Sequence, residues 1–252
     1  MDQIMAAVAE QHAELAGLLD GLDADGWRLP APACPGWTIA DVVLHLAQTD
    51  ELATSSARRE FGSGFSELFR GESSASNVDE AAEVMVVAER DTTSADLFER
   101  WTASAAEMRA VLGACDPSAR LQWVTGELSA RTLATTRLSE AWIHTGDVAG
   151  ALGVELAPTD RLWHIARLAW RTVPYAFTRA GRTPPGAVAF VLRGPSGDEW
   201  DFEPDGPPGT TIRGDAVDLC LVAAQRAEPP ATSLRGDGPN VDEVLELVRT
   251  YA

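Results

Sequence analysis

The feature that most constrains how this chain can fold is a change of grammar at Pro158. Before it, apolar residues recur at helical spacing. After it, one helical stretch gives way to short alternating runs punctuated by Gly and Pro. Two patterns in series predict two units: a helical domain over residues 1–156 and a small α+β domain over 157–252, so that the fold class is α+β. A chain of 252 residues is long enough to give each unit its own core.

In the first part, Ala6, Leu15, Leu18, Leu19 and Leu22 place a helix over about Met5–Leu22. Asp25-Gly26 and the Pro30–Gly36 stretch interrupt it. Thr38 followed by Asp41 reads as a capping box, opening a helix that carries Ile39, Val42, Val43, His45 and Leu46. The Gly/Ser-rich stretch Gly62–Asn77 predicts a loop or broken helix. Further helices fit Ser94–Leu112, ending at Gly113, and Ser129–Leu152, stopped by Gly153. Four helices of this length predict an antiparallel bundle, where sites are built from inward-pointing side chains. Past Pro158 the spacing predicts a helix over Asp160–Val173 ended by Pro174. A strand over Ala187–Arg193 follows, then a turn at Gly194-Pro195-Ser196-Gly197, a returning strand Glu199–Phe202 and a third at Thr210–Arg213. Asp215–Arg226 and Val241–Tyr251 read as helical.

The net charge of −18 argues against a nucleic-acid partner, whose phosphates would be repelled. Ten arginines face 25 acidic residues through Leu156, and ten face 13 after it, so the negative charge is concentrated in the helical part. Every basic residue is Arg. Apolar runs such as Val84–Ala88 are too short to span a bilayer, and the opening Met-Asp-Gln-Ile-Met is not a secretory signal, so the expected location is cytoplasmic. Cys34, Cys115 and Cys220 have neither CxxC spacing nor an even count, which excludes a disulfide framework or a thiolate cluster. Cys34 stands out only because it precedes Pro35-Gly36 on the way to the His45 helix.

The chemistry points to one stripe. Leu133, Arg137, Glu140, His144, Asp147 and Ala151 fall on one face of the Ser129–Leu152 helix. Glu140 and His144, joined by His45 from an earlier helix, make three candidate ligands for a divalent metal, and three protein ligands leave a position open, as in a catalytic site. Asp147 is placed to orient His144 through its other ring nitrogen. Trp37 and Trp142, near these ligands in sequence, are candidate pocket walls. A water-facing polar stripe is the alternative, since Glu-x-x-x-His is a common accidental spacing. His12, among Glu10, Gln11 and Glu14, reads as a surface residue, and His164 as packing or capping. No Gly-rich phosphate loop is present.

The stretch Cys34-Pro35-Gly36-Trp37-Thr38, then Asp41 and His45-Leu46, resembles the opening of the DinB-like, mycothiol-dependent maleylpyruvate isomerase family. Glu140-Ala141-Trp142-Ile143-His144-Thr145-Gly146-Asp147 resembles its second metal motif. Val188–Leu192, Gly194-Pro195, Gly197, Trp200, Gly214-Asp215-Ala216 and Asp218-Leu219 are similar to its sterol-carrier-protein-like domain. The resemblance implies a DinB-like four-helix bundle that holds a divalent metal, usually zinc, through His45, Glu140 and His144, followed by a small α/β domain. It also implies mycothiol as co-substrate and an Arg, within a Gly-Arg pair, that helps bind substrate or thiol. Here Gln225-Arg226 occupies that place, which makes Arg226 the candidate.

Three functions follow. The first is a metal-dependent enzyme that activates a low-molecular-weight thiol for addition to a small electrophile, as isomerase or S-transferase. The second is a thiol-independent tailoring enzyme of secondary metabolism (a cyclase, hydrolase or isomerase) using the metal as a Lewis acid. The third is a non-enzymatic binding module. The expected partners are a small-molecule substrate and a small thiol, with neither nucleic acid nor membrane, in a monomer or homodimer.

Overall fold

The computed structural model describes residues 1–62, 78–124 and 126–250. The chain divides into two compact units, Met1–Leu156 and Ala157–Ala252. The predicted Gly/Ser-rich loop lies outside the described residues apart from Gly62, as does Tyr251.

The first unit is helical. Its helices are α1 (Asp2–Leu19), a single turn α2 (Ala24–Trp27), α3 (Ile39–Ala57), α4 (Val78–Glu89), α5 (Ser94–Gly113) and α6 (Ala130–Leu152), with a hairpin of β1 (Arg120–Trp123) and β2 (Gly126–Ser129) before α6. Helix α3 packs on α5 and α6, and α1 packs on α6 and α5. Local chemistry sets the ends. Thr38 and Asp41 form the full capping box on α3, Thr93 caps α5, Ser129 caps α6, and Gly153 closes α6 in the left-handed conformation at φ 66°. Leu15, Ile39, Val42, Val43, Leu46, Leu97 and Trp101 are buried together in its apolar core.

The second unit joins α7 (Leu162–Arg179), α8 (Ala216–Ala223) and α9 (Val241–Leu247) to a four-stranded sheet. The strands are β3 (Val188–Arg193), β4 (Glu199–Phe202), β5 (Thr210–Asp215) and β6 (Arg235–Asp237), in the order β4-β3-β5-β6. Only the β3–β5 pair is parallel, in register from Val188 opposite Thr210 to Arg193 opposite Asp215. At the β3–β4 turn a side chain on Gly194 would meet the Trp200 indole at 2.5 Å, so the close approach needs glycine.

Several expectations are corrected. Helix α7 does not end at Pro174 but runs through it to Arg179. Its apolar face continues past the proline to Phe177, 1 % exposed, and packing carries the helix over a residue that removes one backbone bond. Helix α9 stops at Leu247, short of the predicted end, because Val248 turns extended. His12 is buried, not at the surface. The β1–β2 hairpin, α4 and β6 had no clear sequence signal. Strands of three or four residues are too short to establish a period. Among the described residues no helix is long and apolar enough to cross a membrane.

Candidate metal centre

Helices α3 and α6 supply the candidate centre. The capping box fixes where α3 starts, and therefore which face His45 presents. Glu140 and His144 share a face of α6 by their spacing of four. The packing of α3 on α6 then brings the three together. His45 Nε2 lies 3.5 Å and His144 Nε2 lies 3.7 Å from the same oxygen, Glu140 Oε2. One donor atom from each lies within 4.8 Å of the others. The two imidazole rings stand edge to face, 5.1 Å between centroids. These separations are long for hydrogen bonds. They are close to the edge of about 3.3 Å that links two ligands placed about 2.0–2.1 Å from a tetrahedral zinc ion. His45 Nδ1 is buried with no hydrogen-bond partner among the described residues. Two imidazole nitrogens and a carboxylate oxygen in this arrangement fit a divalent cation.

Asp147 Oδ2 lies 2.9 Å from His144 Nδ1. An ionised carboxylate only accepts, so Nδ1 carries the ring proton and Nε2 turns its lone pair toward Glu140 and His45. The same Asp147 oxygen accepts the Cys34 thiol at 3.2 Å. Cys34 and Trp37 are the ends of one tight turn, with Trp37 N donating to Cys34 O at 2.9 Å and Gly36 at φ 88°. The turn sets Cys34 beside Asp147 and the Trp37 ring 5.3 Å from that of His45. The Trp37 indole N–H is in turn held by Glu83 of α4. Arg90 binds the Asp41 carboxylate of the capping box at 2.8 Å.

Burial disfavours charge on Glu140. The close contact with His45 and the charges of the neighbouring His144, Arg137 and His45 outweigh it and bring its pKa down to about 2. Burial acts the same way on His45, whose pKa is lowered despite the Glu140 contact. A neutral imidazole beside an ionised carboxylate is the protonation state a metal requires of these ligands. Arg137, three residues before Glu140, is paired with Asp50 of α3 at 3.0 Å, with both side chains 1 % exposed.

Trp142 is not brought to this group. Two residues from each α6 ligand, it stands about 200° around the helix from Glu140, and it is half-buried there. The cluster lies within residues 34–147, while Arg226 follows α8 in the second unit, where its Nη1 donates to Ala224 O at 3.2 Å. Gln225 before it has φ 57°, the left-handed region in which glycine sits without strain. Sequence reasoning left Asp50 and Glu83 unassigned and gave Cys34 no role. The one signal available was the position of Cys34 before Pro35-Gly36.

The profile of the mycothiol maleylpyruvate isomerase N-terminal domain family matches residues 8–149. The chain belongs to this family. Among its relatives is an uncharacterized protein of Mycobacterium tuberculosis, found in two strains, which is 36% identical over 251 residues, 97% of this chain and 95% of that protein. This chain's fold is that of the crystal structures of the mycothiol-dependent maleylpyruvate isomerase and of a histidine-to-alanine mutant of it. These superpose with TM-scores of 0.60 and 0.61 at 17% and 16% identity, each covering 94% of this chain and 92% of the other. Family membership places the matched region on the helical unit that holds His45, Glu140 and His144.

Proposed function

We propose that this protein is a divalent-metal-dependent enzyme that takes a low-molecular-weight thiol of the mycothiol type and adds it to a small electrophile, as isomerase or S-transferase. The observation that supports this is the convergence of His45 Nε2 and His144 Nε2 on Glu140 Oε2, drawn from helices far apart in sequence. The names of its structural neighbours bring in the thiol and the isomerisation.

His45, Glu140 and His144 would hold the ion, with zinc the first choice for a nitrogen–oxygen donor set. A bound divalent ion with an open position supplies the Lewis acidity that makes a thiol a thiolate near neutral pH. The chain's own residues do the rest. Asp147 fixes the His144 ring and its tautomer. Glu140 contributes a negative charge that offsets the ion's. Trp37, anchored by Glu83, walls the His45 side and limits the water that reaches it. Arg226 is the proposed partner for a substrate carboxylate, since a guanidinium binds that group through paired hydrogen bonds. The ligand side chains are 10 %, 17 % and 11 % exposed, so the centre is shielded without being sealed, as a site with an exchangeable ligand must be.

The test is elemental analysis of protein purified without added metal, followed by thermal melting with and without mycothiol. One zinc per chain, and stabilisation by the thiol of about 2.7 kcal/mol at a hundredfold excess over its dissociation constant, are expected. Bound metal with no thermal response to saturating thiol would move the reading to the thiol-independent metal enzyme.

A further inference from the structure

The geometry points to a second cation site that shares His144 with the first. It is formed by Cys34 Sγ, Asp147 Oδ2 and His144 Nδ1 and takes a thiophilic divalent ion of the zinc or cadmium type. Donor atoms of these three residues lie within 4.8 Å of one another, with Sγ to Oδ2 at 3.2 Å and Nδ1 to Oδ2 at 2.9 Å. This second site rests on the metal reading of the His45–Glu140–His144 centre, because it uses the nitrogen of His144 that the first centre leaves over.

His144 is common to both sites. Its Nε2 faces Glu140 and its Nδ1 faces Asp147, so the ring stands between two separate donor sets. With an ion on each nitrogen the imidazole becomes a bridge. The second set combines sulfur, nitrogen and carboxylate oxygen, which favours zinc or cadmium over magnesium or calcium. Asp147 and His144 are buried, while Cys34 is half-buried and offers the way in. The backbone holds the sulfur in place. Cys34 N donates to Ala31 O, Ala31 N to Trp37 O and Trp37 N to Cys34 O, each at 2.9 Å. As the ion enters, the Sγ–H and Nδ1–H protons leave to solvent, so a double positive charge replaces two protons and the net charge of the buried group does not change.

The experiment uses the full chain stripped of metal. Zinc per chain is counted by native mass spectrometry, and cobalt(II) titration reports thiolate ligation through thiolate-to-cobalt charge-transfer absorption in the near ultraviolet. Two zinc ions per chain are expected, with the charge-transfer absorption present by the second cobalt equivalent. Cys34→Ala should hold one zinc and lose the absorption. His45→Ala should also hold one zinc and keep it. On the unmodified chain, peptide mapping after iodoacetamide should find Cys34 protected in the two-zinc form and alkylated in the metal-free form, which tests the site without any variant. Saturation at one zinc with no thiolate absorption overturns the second site and leaves the first centre standing. Absorption that persists in Cys34→Ala, or alkylation of Cys34 unaffected by zinc, also overturns it. No bound zinc at all overturns both readings.

Discussion

The interiors of the two units are built from different materials. In the second unit the buried side chains are almost all apolar: Phe177, Phe190, Leu192, Ile212, Leu219 and Val222 are sealed, and the buried polar residues among those described are Thr210 and Thr250. In the first unit Gln11, His12, Asp41, His45, Asp50, Arg137, His144, Thr145 and Asp147 are all buried. Among the described residues Gln11 Oε1, Asp50 Oδ2 and Arg137 Nη2 are among several of its buried side-chain atoms with no hydrogen-bond partner, against Thr250 Oγ1 in the second unit. Each such atom costs about 1–3 kcal/mol. One unit therefore spends its burial on packing, and the other gives up stability to hold charged and titratable groups. The candidate centre lies in the second kind of interior.

The largest tests set the two interiors against each other. Phe190→Ala should lower stability by about 3–5 kcal/mol through the cavity it leaves, with zinc affinity unchanged. Arg137→Met should lose a similar amount, about 3–5 kcal/mol, because Asp50 is left buried and unpaired, and adding Asp50→Leu should recover most of it. Urea unfolding reads both. An Arg137→Met chain that unfolds at the wild-type midpoint would break the comparison.

The next test is pH. Burial holds the pKa of His12 near 4, against the opposing pull of Asp50 and with help from Arg109 and Arg137. Arg109 donates to His12 Nδ1 at 2.6 Å, which requires a neutral ring there. The unfolded chain binds a proton below about pH 6.5 that the folded chain refuses until about pH 4. Stability should therefore fall as pH drops through this window, by about 3 kcal/mol at its acid end. Above about pH 6.5 this residue should contribute no slope. In His12→Gln the fall should be smaller by that amount, and an unchanged profile would remove His12 from the account.

Asp147→Asn should weaken zinc binding at the His45–Glu140–His144 centre by about 10–100-fold with little change in unfolding of the metal-free chain, because toward that centre the carboxylate orients a ligand rather than filling core. Calorimetric titration of the metal checks this. The smallest expected effect is in the apolar unit, where Gln225→Gly should raise stability by about 0.5–1 kcal/mol by relieving a left-handed φ, less the extra entropy glycine loses on folding. A melting temperature lower than wild type would show that the Gln225 side chain, bonded to Val222 O, outweighs the strain.

How much of this was legible depended on distance along the chain. The α3 capping box, the Gly153 stop, the shared face of Glu140 and His144 and the His144–Asp147 spacing of three are all local. Helical periodicity and cap chemistry determine them whatever the rest of the chain does. The same locality made two expectations fail. Pro174 reads as a helix end only if the burial of Phe177 is ignored, and His12 reads as exposed only if the approach of Arg109 and Trp101 is ignored.

The amino-acid sequence by itself determined which residues are chemically able to hold a cation, the α+β architecture and the family. Tertiary packing alone decided that His45 meets Glu140 across 95 residues, that Cys34 reaches Asp147 across 113 and that Asp50 pairs with Arg137 across 87. The reason is physical. A helix's period sets which side chains share a face, but which face meets which is decided by the burial of apolar surface summed over the whole unit, and no short stretch of chain contains that sum.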